Sequence, residues 1–174
     1  MWICDQWEDY RVLDLSGGEK LEDWKGYRLI RPDPQVIWNE KQKPALWGSA
    51  HGIYHRKNTG GGYWDVKKKL PEKWSIAFAP LGLQFYIKPM GFKHTGLFPE
   101  QAANWLWFFD LIANAGRPVQ VLNLFAYTGG ATAAAAAAGA SVVHVDSSKG
   151  MVAWAKENLA LSGLKDRPVR FLVD

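Results

Sequence analysis

A single cysteine in 174 residues, Cys4, allows no internal disulfide and no zinc cluster of the CxxC kind. No run approaches the ~18 consecutive apolar residues of a membrane-spanning helix, so no membrane partner is expected. The opening stretch MWICDQWEDY carries acids and no apolar core, which excludes a secretory signal and makes a reducing cytoplasm the expected compartment. Low-complexity polar tails are also missing, and 48% hydrophobic with 22% charged residues is the composition of a folded chain. Neither sign of charge dominates: a net charge of +4 is compatible with a nucleic-acid partner, and a surplus of surface lysine accounts for it equally well. What the chain has in excess is tryptophan, ten in all: Trp2, Trp7, Trp24, Trp38, Trp47, Trp64, Trp74, Trp105, Trp107 and Trp154. Tryptophan buries a large area and keeps one N–H donor, which suits β-rich cores, interfaces and base-stacking platforms. Core packing is the expectation for most of them.

The hydrophobic period changes near Pro89. Before it, DYRVLDL, GYRLIR, GIYHR, WSIAFAP and LQFYIKP read as short strands divided by turn signals such as Ser16-Gly17-Gly18 and Asn58-Thr59-Gly60-Gly61-Gly62. The Pro80-Leu81-Gly82 turn predicts a hairpin, and the region as a whole predicts a small antiparallel sheet or partial barrel. After it, Phe98 to Asn114 predicts a helix with Pro99 in its first turn. A β-α-β-α-β alternation follows: VQVLNLF, a helix over Ala131 to Ala138 closed by Gly139, SVVHVD, a helix over Lys149 to Leu161 capped by Ser147 or Ser148, and VRFLVD. Strands this continuously apolar belong to a parallel sheet covered on both faces. The expected organisation is a small β-rich domain over residues 1–90 and an α/β domain over 91–174.

The chemistry concentrates between Val119 and Asp146. In VLNLFAYTGGAT a buried strand enters a loop ending in Gly129-Gly130, and a helix of very small residues follows. Glycine permits a sharp turn and close backbone approach, and the helix start offers free N–H groups to an anion. The next strand ends in Asp146, a carboxylate able to accept both ribose hydroxyls, at a spacing near the ~20 residues of nucleotide-binding folds. A nicotinamide site wants G-x-G-x-x-G, whereas Ala126 and Thr128 stand where its first two glycines could fall. An adenosyl ligand is therefore expected, with a nicotinamide-dependent oxidoreductase and a non-catalytic RNA-binding module as the alternatives.

LNLFAYTGGAT with HVDSSKGMVAWAKENLALSGL resembles motifs I and II of the class I methyltransferases. FKHTGLFPEQAANW, just ahead of them, resembles the corresponding segment of the 23S rRNA cytosine-C5 methyltransferase branch. The resemblance implies a Rossmann-like fold of which only the first half is present, S-adenosyl-L-methionine as cofactor, RNA (rRNA-like) as a candidate partner, and a C-terminal truncation. It implies that Phe125, Ala126, Tyr127, Thr128 and Gly129 wrap the methionine end of the cofactor beside Asn123. Asp146 would hold the ribose with Ser147 and Ser148 nearby, Asp174 would stand near the adenine, and Gln101 with Asn104 would lie on the helix that closes over the ligand. The family's arginine in that helix segment is absent here. Cytosine-C5 transfer also needs a cysteine, and Cys4 is far in sequence from the cofactor segment, so no catalytic residue is assigned.

Outside that segment, His94 is the histidine most suspected of lining a pocket, although a surface position suits it better. His144 reads as a packing residue within its strand. His51 and His55 carry strand signals around them, so helical metal-ligand spacing does not apply and no metal is expected. Lys67, Lys68 and Lys69 with Arg56, Lys57, Tyr63 and Trp64 mix cations and aromatics, as an RNA-gripping patch or a solvated hairpin tip would.

Overall fold

The computed structural model describes residues 3–174; Trp2, counted above among the packing tryptophans, lies outside them. The chain divides into two compact units. One comprises Trp7–Ile76 and Ile87–Thr95, the other Ala77–Tyr86 and Gly96–Asp174 together with residues 3–6.

The β-rich unit is built on a five-stranded sheet, β1 (Tyr10–Ser16), β2 (Glu19–Trp24), β3 (Tyr27–Pro32), β4 (Gly52–Arg56) and β5 (Gly62–Val66), lying side by side in that order. One short helix, α1 (Pro44–Trp47), sits between β3 and β4. The sheet is mixed, which corrects the antiparallel expectation: β3 and β4 run parallel, with Leu29 opposite Gly52 and Ile30 opposite Ile53. Parallel neighbours need a crossover rather than a hairpin, and the segment 33–51 containing α1 supplies it. Strands β2 and β5 escaped the sequence reading. In β2 the buried residues Leu21 and Glu22 are adjacent, so the period-two signal fails where an acid is taken into the core.

Glu22 is fully buried and receives two hydrogen bonds from the Arg31 guanidinium, at 2.6 and 2.7 Å, and one from the Tyr10 hydroxyl at 2.8 Å. Burial pushes its carboxyl upward, but the Arg31 charge and hydrogen bonds outweigh burial and hold it below the usual glutamate value. Asp14 is likewise buried, accepting the Trp47 indole N–H at 2.8 Å and the Lys43 amide at 2.9 Å. Burial raises its pKa as well, and the Trp47 and backbone hydrogen bonds again win, leaving it below the usual value. Leu21, Ile30, Trp47 and Ala50 form an apolar cluster in this unit.

The division falls on a two-stranded ribbon, β6 (Trp74–Phe78) and β7 (Leu83–Ile87). Within the α/β unit, the Gln84 amide donates to Ser162 Oγ at 3.0 Å and the Tyr86 amide to Asn158 Oδ1 at 2.9 Å. Most of β7 therefore goes with the α/β unit, and the division differs from a single cut at residue 90. Hydrophobic period announces a strand; it does not say which core the strand joins.

The remainder is a parallel three-stranded sheet in the order β10-β9-β8, from β8 (Gln120–Asn123), β9 (Ser141–Asp146) and β10 (Val169–Val173). Helices α2 (Ala102–Ala113), α3 (Gly130–Ala137) and α4 (Lys149–Leu161) connect and cover it. A single 3-10 turn, Pro99–Gln101, takes the place of the expected first helical turn ahead of α2. Of the two serines offered as caps for α4, Ser148 is the cap, accepting from the Met151 amide at 3.4 Å. Ala133, Ala134, Ala135 and Ala136 are buried; Ala135 and Ala136 pack with Val142 against Phe108, Ile112, Val121 and Val169. Trp105 packs edge-on against Phe78 and tilted against Phe85, with ring centroids 6.0 and 5.4 Å away.

Candidate functional site

The loop between β8 and α3 adopts a conformation that its sequence resists. Phe125 and Tyr127 have φ of 52° and 51°, left-handed values that cost a non-glycine residue roughly 1 kcal/mol or more each. Surrounding hydrogen bonds impose them: the Ala126 amide donates to the Val145 carbonyl at 2.9 Å, and the Tyr127 amide donates to Asp146 Oδ2 at 2.8 Å. Thr128 is anchored on both sides. Its hydroxyl donates to the Gly96 carbonyl, and its own carbonyl accepts the buried Asn158 amide at 2.9 Å.

The two glycines are also required by the packing of neighbouring elements. Gly129 has φ 82°, and a Cβ there would stand 2.9 Å from the Ala155 Cβ. A Cβ on Gly130 would come within 2.6 Å of the Trp105 ring. They make room for α4 and α2 to pack closely against the loop.

Above the loop lies a cleft of about 230 Å³. Leu97, Phe98, Gln101 and Trp105 form one wall, and Asn123, Phe125, Ala126, Tyr127, Thr128, Gly130 and Ala131 form the other. Six residues singled out from the sequence thus share one cleft: Gln101, Asn123, Phe125, Ala126, Tyr127 and Thr128. The others gather at the strand tips. Asp146 ends β9, and its second carboxylate oxygen accepts the Ser148 amide at 2.9 Å. The Asp174 amide donates to the Asp146 carbonyl at 3.2 Å, which sets the two acids on adjacent strand ends. Ser147 is exposed beside them. Asn104 is exposed and bonds to Gln101 Oε1 at 2.9 Å without lining the cleft. Leu97, Phe98, Trp105 and Ala131 were not singled out as site residues. Trp105 was legible in principle, being one helical turn beyond Gln101 and so on the same face.

Beneath the cleft, Asn123 Nδ2 donates to Thr132 Oγ1 at 2.9 Å, and Thr132 Oγ1 shares a 2.9 Å hydrogen bond with His144 Nδ1. Thr132 and His144 are completely buried. Burial pushes the His144 pKa down more than nearby Asp146 lifts it, so the ring stays neutral near pH 7. This network fixes the orientation of Asn123 from below.

Cys4 is remote in sequence but not in the fold: its thiol donates to the Pro99 carbonyl at 3.0 Å, next to cleft-lining Phe98. A larger depression of about 810 Å³ follows the open face of the strands through Gln120, Leu122, Val143 and Arg170. It contains neither the glycine loop nor Asp146, so the smaller cleft is the better candidate for chemistry. In the β-rich unit, Lys67 is paired with Asp65 at 2.5 Å and Lys68 Nζ donates to the Ser49 carbonyl at 3.2 Å. Two of the three consecutive lysines are therefore already engaged. Among the described residues, no group of three or more His, Cys, Asp or Glu side chains could hold a metal, and no helix is long and apolar enough to cross a membrane.

An adenosyl cofactor meets a matching donor set here. A carboxylate has about four lone-pair sites. Asp146 commits two to backbone amides, leaving two for a pair of vicinal hydroxyls. The first N–H groups of α3 lack intrahelical acceptors, and Gly130 and Ala131 at that end face the cleft, where a carboxylate would be accommodated.

Comparison with known proteins agrees with this geometry. A solved S-adenosylmethionine-dependent methyltransferase from Agrobacterium tumefaciens is 40% identical and superposes with a TM-score of 0.89, covering 96% of this chain and 53% of its own. A protein named SMU.776, solved with SAH, shares the fold at 19% identity and a TM-score of 0.70 over 46% of its length. The large-subunit ribosomal RNA methyltransferase K/L of Shewanella sp. (strain W3-18-1) is 37% identical over 107 residues, 60% of this chain and 14% of the relative. The chain thus spans about half the length of the Agrobacterium protein and a small part of the Shewanella one. The model of the S-adenosylmethionine-dependent methyltransferase family matches residues 45–174, which takes in part of the β-rich unit as well as the α/β unit. The chain belongs to the S-adenosylmethionine-dependent methyltransferases.

Proposed function

We propose that the α/β unit holds S-adenosylmethionine along the β8–α3 loop and the tips of β9 and β10, and that the protein methylates RNA in the cytoplasm. The Asp146 carboxylate carries the first half of this reading: two of its acceptor sites brace the strained loop and the start of α4, and the others remain for the ribose. Gln101, Asn123, Phe125, Ala126, Tyr127, Thr128 and Gly129 would enclose the methionine end, Ser147 and Ser148 would flank the ribose, and Asp174 would stand beside the adenine. When bound, the cofactor supplies an electrophilic methyl on its sulfonium. The chain's own contribution is positional, through a loop held in place before the ligand arrives. The RNA half rests on the Shewanella relatives, whose names specify large-subunit ribosomal RNA and no acceptor atom.

Calorimetric titration with S-adenosylhomocysteine tests the first half. Saturable binding is expected, with NADH producing none; no heat at millimolar ligand overturns it. Asp146→Ala should weaken binding by ~1–3 kcal/mol, and an unchanged affinity removes Asp146 from the site.

A further inference from the structure

The β-rich unit gathers cations that its own acids do not neutralise. Lys20 and Arg31 face each other across β2 and β3. Glu22 and Asp33 lie among them: Lys20 Nζ is 3.6 Å from a carboxylate oxygen of each, and Arg31 is fastened to Glu22. The loop from Lys88 to Thr95 then brings in Lys93 and His94. Its carbonyls are what hold it: Lys93 O accepts Arg31 Nη1 at 3.0 Å, Gly91 O accepts both the Gly62 amide and the Tyr54 hydroxyl at 3.1 Å, and Thr95 O accepts the Lys88 amide at 2.9 Å. Arg56 stands opposite Gly62 in the β4–β5 ladder, and the Gly62 hydrogen bond to Gly91 brings that end of the ladder to the same loop. Four cations thus surround two acids.

The titration of the loop residues records that surplus. Burial lowers the Lys93 pKa, and Arg56, Lys20 and Arg31 add to the effect while Asp33 opposes it. His94 is lowered by burial and then by Lys93, Arg31, Lys20 and Arg56. Like charges fixed together in a half-buried setting repel one another, and an incoming anion relieves the repulsion. Immediately before Lys93 in the chain stands Phe92, 62% exposed, a large apolar ring in water.

We infer that Lys20, Arg56 and Lys93 form a phosphate-binding site in the β-rich unit, with Phe92 as a stacking platform, and that its ligand is single-stranded RNA. Cations that track a phosphate backbone beside an exposed aromatic ring are the components of single-strand recognition. Arg31 is buried against Glu22 and supplies potential rather than contact. The inference rests on the RNA reading above and gives that reading an address.

The test is fluorescence anisotropy of a labelled single-stranded RNA with the protein, across a salt series, with heparin as a second probe. Lys93→Gln and Arg56→Gln should each weaken RNA binding about tenfold and flatten the log–log salt slope by ~0.7 per lost contact. Phe92→Ala should weaken RNA binding about fivefold or more and leave heparin binding unchanged. Circular dichroism and S-adenosylhomocysteine titration show whether each variant remains folded. RNA binding that survives all three substitutions overturns the site and leaves the RNA reading standing. Wild-type protein that binds no RNA at low salt overturns both. Equal losses for RNA and heparin in Phe92→Ala, or none for either, overturn the stacking role and make this a general polyanion surface, which also contradicts the proposal.

Discussion

The two units secure their interiors by different means. In the β-rich unit, charges are taken inside and satisfied: Glu22 with Arg31 and Tyr10, and Asp14 with Trp47 and the Lys43 amide. In the α/β unit, α3 is buried through small side chains, so that Ala133 to Ala136 let backbones approach and Gly129 and Gly130 admit Ala155 and Trp105. The first arrangement depends on partners and the second on volume. The contrast also bears on where chemistry sits. Close packing fixes α3, α4 and β9 beneath the β8–α3 loop, and hydrogen bonds from the Ala126 and Tyr127 amides to Val145 and Asp146 then hold Phe125 and Tyr127 in left-handed conformations.

The largest effect should come from separating the buried ion pair. Glu22→Ala leaves the Arg31 guanidinium buried without its carboxylate and should cost ~3–5 kcal/mol in urea unfolding followed by tryptophan fluorescence. Replacing both partners together, Glu22→Leu with Arg31→Met, should recover most of that loss, because a buried pair contributes little over a well-packed apolar substitute. If the double variant is no better than Glu22→Ala, the pair does more than satisfy itself. The corresponding disturbance of the α/β unit is Gly130→Ala, whose added methyl meets Trp105 and should cost ~1–3 kcal/mol in the same measurement. A Gly130→Ala loss larger than that of Glu22→Ala would invert the contrast between the units.

The smallest effect is on pH dependence. Buried His144 has a folded-state pKa below its ordinary 6.5, so the unfolded chain binds a proton first as pH falls. Its contribution to stability is complete above about pH 6.5 and is lost as pH falls toward the depressed value. Stability should therefore decline between pH 7.5 and 5, and the decline should be shallower in His144→Asn. His51 and His94, also depressed, continue to act in the same direction in that variant. Glu22 and Asp14, held below their ordinary 4.5 and 3.8, contribute fully above those values and weaken only at lower pH. An unchanged slope in His144→Asn would mean that the Thr132 contact tolerates the imidazolium.

The parallel strands and the last two helices of the α/β unit were legible to within a residue or two, because their apolar periods are closed by Ser148, Gly139 and Gly163, whereas α2 starts four residues later than expected, after a 3-10 turn. The glycine loop and Asp146 were legible because their order along the chain is itself the signal. In the β-rich unit the strands are short; a buried acid breaks the period of β2, and β5 has no fully buried residue to mark one, so neither stands out, and nothing local signals the parallel β3–β4 pairing. Two site features were out of reach. The positive φ of Phe125 and Tyr127 contradicts their residue types, and Cys4 meets Pro99 only through the fold.

Sequence alone determined the order of elements, the position of the loop and strand-tip acid, and the kind of ligand they suit, since these depend on local spacing and residue chemistry. Tertiary structure decided how Gly129 and Gly130 are used, where β7 belongs, that Trp105 and Phe98 wall the cleft, and that Lys20, Arg31, Arg56 and Lys93 converge. Each of those depends on which distant backbones approach, and that is settled by packing and by the long-range balance of charge, neither of which has a period along the chain.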